Sequence, residues 1–449
     1  MPRYQGPQAR RDFSRPAGLF VFMALFAGDG MAAGSPPAGA HENKSGKAAQ
    51  LSEFSDRTGK TDDVPSGATP DPKPLPDDTA CSSTTLSFDC LPGWESDDHL
   101  AALSVFVQDC DAGLDRMAAR TGMLGVSGAD LAALCKTARS VTPTAAAAKA
   151  FFETNFVPVR LEDPGFVTGY FEPAISGSRV RTERFSVPIY GKPDDLVAIR
   201  PDRRAAARKA GLSDDTAFAR FNDDGALAAY PDRAAIEAGA LAGRGLEIAW
   251  VESPLDAFFI HIQGSARIRL ADGSLMRLAY AAKSGHPYTA IGGILIARGE
   301  ISREAMSMET LRAWLEANPA EAGALMAQNR SFIFFREIEA DEGRGPVGAA
   351  GVSLSAGRSL AVDKELHAFG TPIFVEASLP ERAGGSFSRL MIAQDTGSAI
   401  VGPARGDIFF GTGAEAGQIA GEIRHAARFT VLAPRGSDLA RSARGEDAQ

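Results

Sequence analysis

The chain has 449 residues, 44% hydrophobic and 23% charged, which is enough for two or three domains with a sizeable buried core. This size and balance exclude a small disulfide-stapled module, wholesale disorder, a collagen-like repeat and a polytopic membrane protein. With 47 Lys and Arg against 56 Asp and Glu the net charge is −9; no basic surplus exists to drive phosphate binding, so a nucleic-acid partner is not expected.

Residues 1–33 have the layout of a secretory signal: Arg3, Arg10, Arg11 and Arg15, then the apolar run Ala17 to Gly28, then Ala32, Ala33 and Gly34. Twelve apolar residues at about 1.5 Å each cannot cross a hydrocarbon core of about 30 Å, so no transmembrane anchor is expected once the signal is removed. Arg10-Arg11-Asp12-Phe13 also fits a twin-arginine signal, and the location expected is the periplasm, by either export route. The first cysteine is Cys81, too far from the apolar run for a lipid-modified cysteine. Residues 34–85 are rich in Pro, Gly, Ser, Asp and Lys without apolar periodicity, and are read as a disordered tether.

Four cysteines, Cys81, Cys90, Cys110 and Cys135, permit two disulfides in an oxidising compartment, and Cys110 with Cys135 is the preferred pair. Their spacing and the scattered histidines match no metal array, so neither a metal nor a cofactor is expected.

Asp97-Asp98 can cap a helix whose Leu100, Leu103, Phe106 and Val107 recur at helical spacing, and helices over 131–138 and 145–156 follow. After Val157 come short β-rich runs, 166–171, 185–190, 248–251 and 258–262, with a charged, Ala-rich segment of helix and loop over 200–243. Ala266 to Tyr280 reads as a hairpin around Asp272-Gly273, with a type I′ turn, in which Arg267, Arg269 and Arg277 alternate with apolar residues. A helix over 308–326 precedes strands at 332–335, 360–362, 373–375, 390–393 and 408–410. Many strands with few long helices between them favour barrels over a doubly wound sheet. Gly411-Thr-Gly413 is read as the turn into a helix over 415–427, because its glycine spacing and surroundings do not fit a dinucleotide site. The polar tail, 435–449, is expected to fray.

The most informative stretch runs from Leu390 to Gly413 and sets Asp395 and Asp407 at strand edges among glycines, where a ligand can approach the backbone closely. An acid so placed, with its pKa raised by burial, suits general acid–base work on a glycosidic bond; the plainer reading is a turn-capping aspartate. Gln263-Gly264-Ser265 could contact a glycan from a loop after a strand, or simply end that strand. Tyr170 and Tyr288 could stack on sugar faces, or be packed aromatics. Neither a G-x-S-x-G elbow nor an H-E-x-x-H motif occurs.

Several motifs occur together in order: Leu91-Pro-Gly-Trp94, Thr168-Gly-Tyr-Phe-Glu-Pro173, Pro188-Ile-Tyr190, Phe258-Phe-Ile-His-Ile-Gln-Gly-Ser265, Gly285-His-Pro-Tyr288, Asn329-Arg-Ser-Phe-Ile-Phe-Phe335, Val362-Asp363, Gly370-Thr-Pro372 and Ala393 to Gly413. In this the chain resembles the membrane-bound lytic murein transglycosylase A family, whose C-terminal part is named for three aspartates. The resemblance implies a mainly β fold with flanking helices: a double-psi β-barrel from 86–175 and 336–434, a second, barrel-like β domain inserted over 176–335, and a groove between them for a glycan strand. It also implies a monomer that cleaves the β-1,4 bond between N-acetylmuramic acid and N-acetylglucosamine of peptidoglycan without water. Asp407 falls on the acid–base position, with Asp395 and Asp363 in support. Two other functions stay open: a glycan hydrolase on the same barrel, and a non-catalytic wall-binding module.

Overall fold

The computed structural model describes residues 85–113, 121–214, 216–339 and 343–445. The expected signal, the tether up to residue 84 and Cys81 lie outside the described residues.

Helix α1 (His99–Ala112) starts at Asp98, whose carboxylate accepts the Ala101 N–H at 3.0 Å, and stops at Gly113 in the left-handed region. Asp97 does not cap it; that side chain crosses to Arg358 and to the Leu390 N–H. Helix α2 (Gly128–Ser140) begins with a Ser127/Asp130 capping box and α3 (Ala145–Asn155) with Thr144. The expected disulfide joins α1 to α2 through Cys110 and Cys135, at 2.04 Å.

These helices pack on a seven-stranded sheet built from both ends of the described chain. Its strands are β1 (Phe156–Arg160), β2 (Gly165–Glu172), β12 (Ser359–Val362), β13 (Pro372–Ser378), β14 (Ser386–Asp395), β15 (Arg405–Thr412) and β16 (Arg424–Pro434). They run in the order β1-β16-β13-β14-β12-β15-β2, and β2 also pairs with β16, so six strands close on themselves while β1 hangs outside β16. β12 is parallel to β14 and β15 to β2, the other pairings being antiparallel. This is a double-psi β-barrel, and closure leaves its six strands without free edges. One core, including Trp94, Phe106, Phe152, Phe374, Leu390 and Phe429, fills the barrel and the space under the helices.

The inserted domain has a six-stranded sheet in the order β11-β10-β9-β3-β8-β4, from β3 (Ala174–Ser178), β4 (Val187–Tyr190), β8 (Glu247–Val251), β9 (Ser265–Arg269), β10 (Leu275–Lys283) and β11 (Ile333–Ile338). A three-stranded sheet of β5 (Val197–Ala198), β6 (Phe218–Phe221) and β7 (Leu227–Ala228) stands beside it, with α4 (Arg204–Lys209) and α5 (Arg233–Ala235). Helices α6 (Pro254–Gln263), α7 (Ile291–Ala297), α8 (Met308–Ala317) and α9 (Pro319–Ala327) complete the domain.

Several local expectations are corrected. Residues 258–262 belong to α6, not to a strand: Ser253 caps it, Pro254 suits its first turn, and burial of Leu255, Ala257, Phe258, Phe259 and Ile260 makes its sequence as continuously apolar as a buried strand. Strands β5 to β7 lie within or beside the segment read as helix and loop. The hairpin exists, but Leu270 pairs with Ser274 around a three-residue loop with Gly273 left-handed, in place of a type I′ turn. Pro319, without an N–H, splits the expected 308–326 helix into α8 and α9. The helix expected to reach residue 427 ends sooner: α10 (Ala414–Glu422) gives way to β16. The tail forms α11 (Asp438–Ala443), capped by Ser437 and seated on the barrel core through Ala440.

Candidate active site

One row across the barrel wall organises the cleft. Ala361 on β12 stands opposite Asp395 of β14 on one side and Asp407 of β15 on the other; Asp407 pairs with Thr168 of β2, and Thr168 with Arg424 of β16. The two acids are thus two strand spacings apart, about 10 Å between backbones. Both line an open cleft whose walls also include Thr168, Tyr170, Gln263 and Met308.

Asp407 is 7% exposed, and its Oδ1 accepts the Thr168 hydroxyl at 2.7 Å. The Thr168 oxygen itself accepts from Arg405 Nη2 at 2.8 Å. A guanidinium only donates, so the Thr168 proton must point at Asp407, and Oδ2 is left as the carboxyl's proton-carrying oxygen. Burial pushes Asp407 up to about 6, with Asp395 adding to the rise and Arg405 and the Thr168 bond opposing it. A carboxyl titrating there can both give and take a proton near neutral pH.

Asp395 is placed by a β-bulge. Leu360 pairs with Ala393 but Ala361 with Asp395, so Gln394 stands unopposed and the strand re-aims its next side chain. Asp395 Oδ1 accepts the Ala349 and Thr396 N–H groups, each at 2.9 Å, and Oδ2 accepts the Tyr170 hydroxyl at 3.0 Å. Burial raises its pKa against the pull of those bonds. Tyr170 lines the cleft, with its ring 5.3 Å from that of Phe409 and its hydroxyl engaged by Asp395. Asp363, just past β12, does not line this cleft: its carboxylate accepts from Gly402 N at 2.9 Å and Glu365 N at 3.1 Å, tying down the loop that leads into β15.

The inserted domain supplies Ile262, Gln263 and Met308 to the facing wall. Gln263 ends α6, and its Oε1 accepts the Phe171 N–H at 3.2 Å, so the amide fastens helix to strand. Gln263-Gly264-Ser265 thus closes a helix and not a strand: Gly264 is its left-handed cap and Ser265 is buried at the start of β9, neither lining the cleft. Tyr288 also stays away, packed on the core of Phe258, Phe259 and Leu295, where burial raises its pKa.

Two clamps join barrel and insert. Glu172, fully buried at the end of β2, meets Arg267 at 2.6 Å, Arg277 at 3.5 Å and the Thr412 hydroxyl at 2.9 Å. Arg424 donates to the carbonyls of Arg303, Glu304 and Met306, just ahead of α8 and Met308. Thr168, Arg405, Glu172 and Arg424 were not among the residues expected from sequence as site members. Thr168 and Glu172 lie in a motif noted there, but their partners are 95 to 240 positions away.

The description MltA specific insert domain matches residues 166–336 and the description 3D domain matches residues 358–433. A crystal structure of the membrane-bound lytic murein transglycosylase from Agrobacterium tumefaciens shares 44% identity and a TM-score of 0.71, covering 78% of this chain and 97% of that one. The chain belongs to the membrane-bound lytic murein transglycosylase A family. The Escherichia coli (strain K12) member is 37% identical over 272 residues, 59% of this chain; this chain spans 64% of the length of that curated relative. Escherichia coli MltA has also been solved with bound chitohexaose, at 28% identity and a TM-score of 0.56, covering 75% of this chain and 91% of that one. In this family member the cleft described above therefore lies between parts that match both descriptions, with Asp395 and Asp407 in the second and Thr168, Tyr170, Gln263 and Met308 in the first.

Proposed function

We propose that the protein is a lytic transglycosylase that cleaves the β-1,4 bond between N-acetylmuramic acid and N-acetylglucosamine of peptidoglycan, leaving 1,6-anhydromuramoyl ends. The observation that carries this is the inequality of the two acids: Asp407 keeps an oxygen free for the substrate while every oxygen of Asp395 is engaged. The names of its relatives and the chitohexaose bound to one of them support a glycan in the cleft.

In this reading Asp407 protonates the glycosidic oxygen as it leaves. The resulting carboxylate then takes the proton of the muramoyl C6 hydroxyl, which attacks C1 and closes the anhydro ring. The C6 hydroxyl belongs to the same sugar, so proximity replaces a second catalytic group. A hydrolase needs a second carboxylate to attack the sugar or to activate water, and Asp395, accepting three hydrogen bonds, is poorly suited to either. Burial raises the pKa of Asp407 and the Asp395 charge adds to the rise, favouring the protonated form that the first step needs. Tyr170 holds Asp395, Thr168 and Arg405 hold Asp407, and Asp363 holds the loop ahead of β15. The N-terminal pattern and a peptidoglycan substrate together support export to the periplasm; among the described residues no helix is long and apolar enough to cross a membrane.

The test is mass spectrometry of soluble products from purified peptidoglycan, with the unaltered protein and Asp407→Asn side by side. Anhydro-ended muropeptides, lighter than reducing forms by one water and absent with the variant, are expected. Reducing ends would make the protein a hydrolase. Binding without products from either would make it a wall-binding module.

A further inference from the structure

Behind the strand that carries Asp395 lies a polar chain that the reaction above does not use. Asp109, in the last turn of α1, is fully buried, and its Oδ1 accepts Gln394 Nε2 at 2.5 Å. Its Oδ2 meets no hydrogen-bond partner among the described residues. Gln394, equally buried, accepts the Ser359 hydroxyl on Oε1 at 2.5 Å, and the Ser359 oxygen in turn accepts the Ser355 N–H at 2.7 Å. With Oε1 on the Ser359 hydroxyl, the Gln394 amide presents Nε2 to Asp109. Burial pushes the Asp109 carboxyl up to about 7, and Oδ1 can accept from Gln394 in either protonation state.

Gln394 is the unopposed residue of the β14 bulge, and Asp395 follows it directly. The bulge breaks the strand's regular alternation, so Asp395 takes the register of Ala361 while the Gln394 side chain runs into the core between Asp109 and Ser359. Helix α1 is moored for this task at both ends. Asp97 accepts the Leu390 N–H at 2.7 Å and pairs with Arg358 at 2.8 Å, and Cys110, beside Asp109, is bonded to Cys135 and gives its carbonyl to Arg139 at 2.6 Å. A buried carboxyl with an unpartnered oxygen is costly and calls for a reason.

We propose that Asp109 is a positioning residue for the reaction: through Gln394 it holds the β14 bulge that turns Asp395 into the cleft beside Asp407. This inference rests on the transglycosylase reading and extends its machinery to a residue the substrate never touches.

The experiment measures kcat and KM for anhydro-product release, with thermal unfolding, for the full chain and for Asp109→Leu, Asp109→Asn, Ser359→Ala and Leu131→Ala, the first and third also combined with Asp395→Asn. Asp109→Leu should lower kcat about ten-fold or more with KM within about two-fold, and Asp109→Asn, which keeps an acceptor oxygen for Gln394, should recover most of it. In the Asp395→Asn background Asp109→Leu should cost less than about two-fold, because the residue it positions is already disabled. Leu131→Ala, which loosens the same helical layer, should lower Tm without lowering kcat. Equal losses in both backgrounds, or a kcat loss from Leu131→Ala matching that from Asp109→Leu, would reduce Asp109 to a structural residue and overturn the proposal. Should Asp109→Leu not fold, Ser359→Ala decides by the same comparison, with a several-fold loss expected only where Asp395 is intact. An unaltered protein that releases no anhydro ends would overturn the functional reading and this inference with it; an active protein indifferent to Asp109→Leu would overturn this inference alone.

Discussion

The barrel side of the cleft presents Thr168, Tyr170, Asp395 and Asp407, and every one of these polar groups is held by a hydrogen bond within the barrel. The facing side presents Ile262, Met308 and Gln263, whose amide is bonded to the Phe171 backbone and stands 3.9 Å from the Met308 sulfur. Groups that must move a proton need fixed geometry and a controlled pKa, which a closed barrel without free edges can provide. A wall that only has to accept a sugar face needs shape and apolar surface. In the proposed transglycosylase reading this asymmetry corresponds to chemistry on one domain and substrate fit on the other, with the Glu172 and Arg424 clamps joining the two.

The harshest break of that asymmetry is Asp407→Asn, which should lower kcat by about 10²–10⁴-fold with little change in KM; a loss below ten-fold in a product-release assay would take the acid–base role from Asp407. Next comes the clamp. Glu172→Ala takes the carboxylate away from Arg267, 2.6 Å distant, and from the buried Arg277, which keeps its bond to the Gly345 carbonyl, and removing one partner of a buried ion pair costs about 3–5 kcal/mol. Denaturant unfolding measures it, and a loss under about 1 kcal/mol would show that the two domains are held by other contacts.

A smaller effect follows from the raised pKa of Asp407. Its ordinary value is 3.8 and burial takes it to about 6, so between those pH values the folded state binds more protons at this site than the unfolded state. Stability at this site therefore falls as pH rises from about 4 to about 6, and stays low above that. Asp407→Asn removes the penalty and should be more stable than the unaltered protein at pH 7 by at most about 3 kcal/mol, with no gain at pH 3.8. Equal pH dependence of unfolding for both proteins would place the shift elsewhere.

Much of this architecture can be read from sequence where the signal is local. The α1 cap at Asp98, the strands around Asp395 and Asp407, and the existence of the 265–283 hairpin all follow from short-range pattern. The losses are of two kinds. Periodicity cannot tell the largely buried, mostly apolar α6 from a strand, nor the end of α10 from the start of β16, where alanines mixed with polar residues run through both. Long-range pairing is invisible: nothing near Thr168 marks Asp407 as its partner, and Tyr170 looks like a stacking residue until its hydroxyl is found on Asp395. Resemblance to a family with three aspartates groups Asp363 with Asp395 and Asp407, but in the fold it supports a loop while the others face the cleft.

The smallest effect sharpens the comparison most. Met308 leads α8 and its half-buried side chain reaches the cleft, so Met308→Ala removes apolar surface from the wall that carries no acid. Losing two or so buried methylene equivalents from a sugar contact costs about 1–2 kcal/mol. If the inserted domain only shapes the site, that energy is lost equally from the ground and transition states, and KM should rise about five- to thirty-fold with kcat unchanged. A fall in kcat with KM constant would mean that Met308 presses on the sugar only as the bond breaks. The division of labour between the walls would then have to give way to one in which the insert shares in the chemical step, through the start of α8, whose lead-in segment Arg424 ties to the barrel.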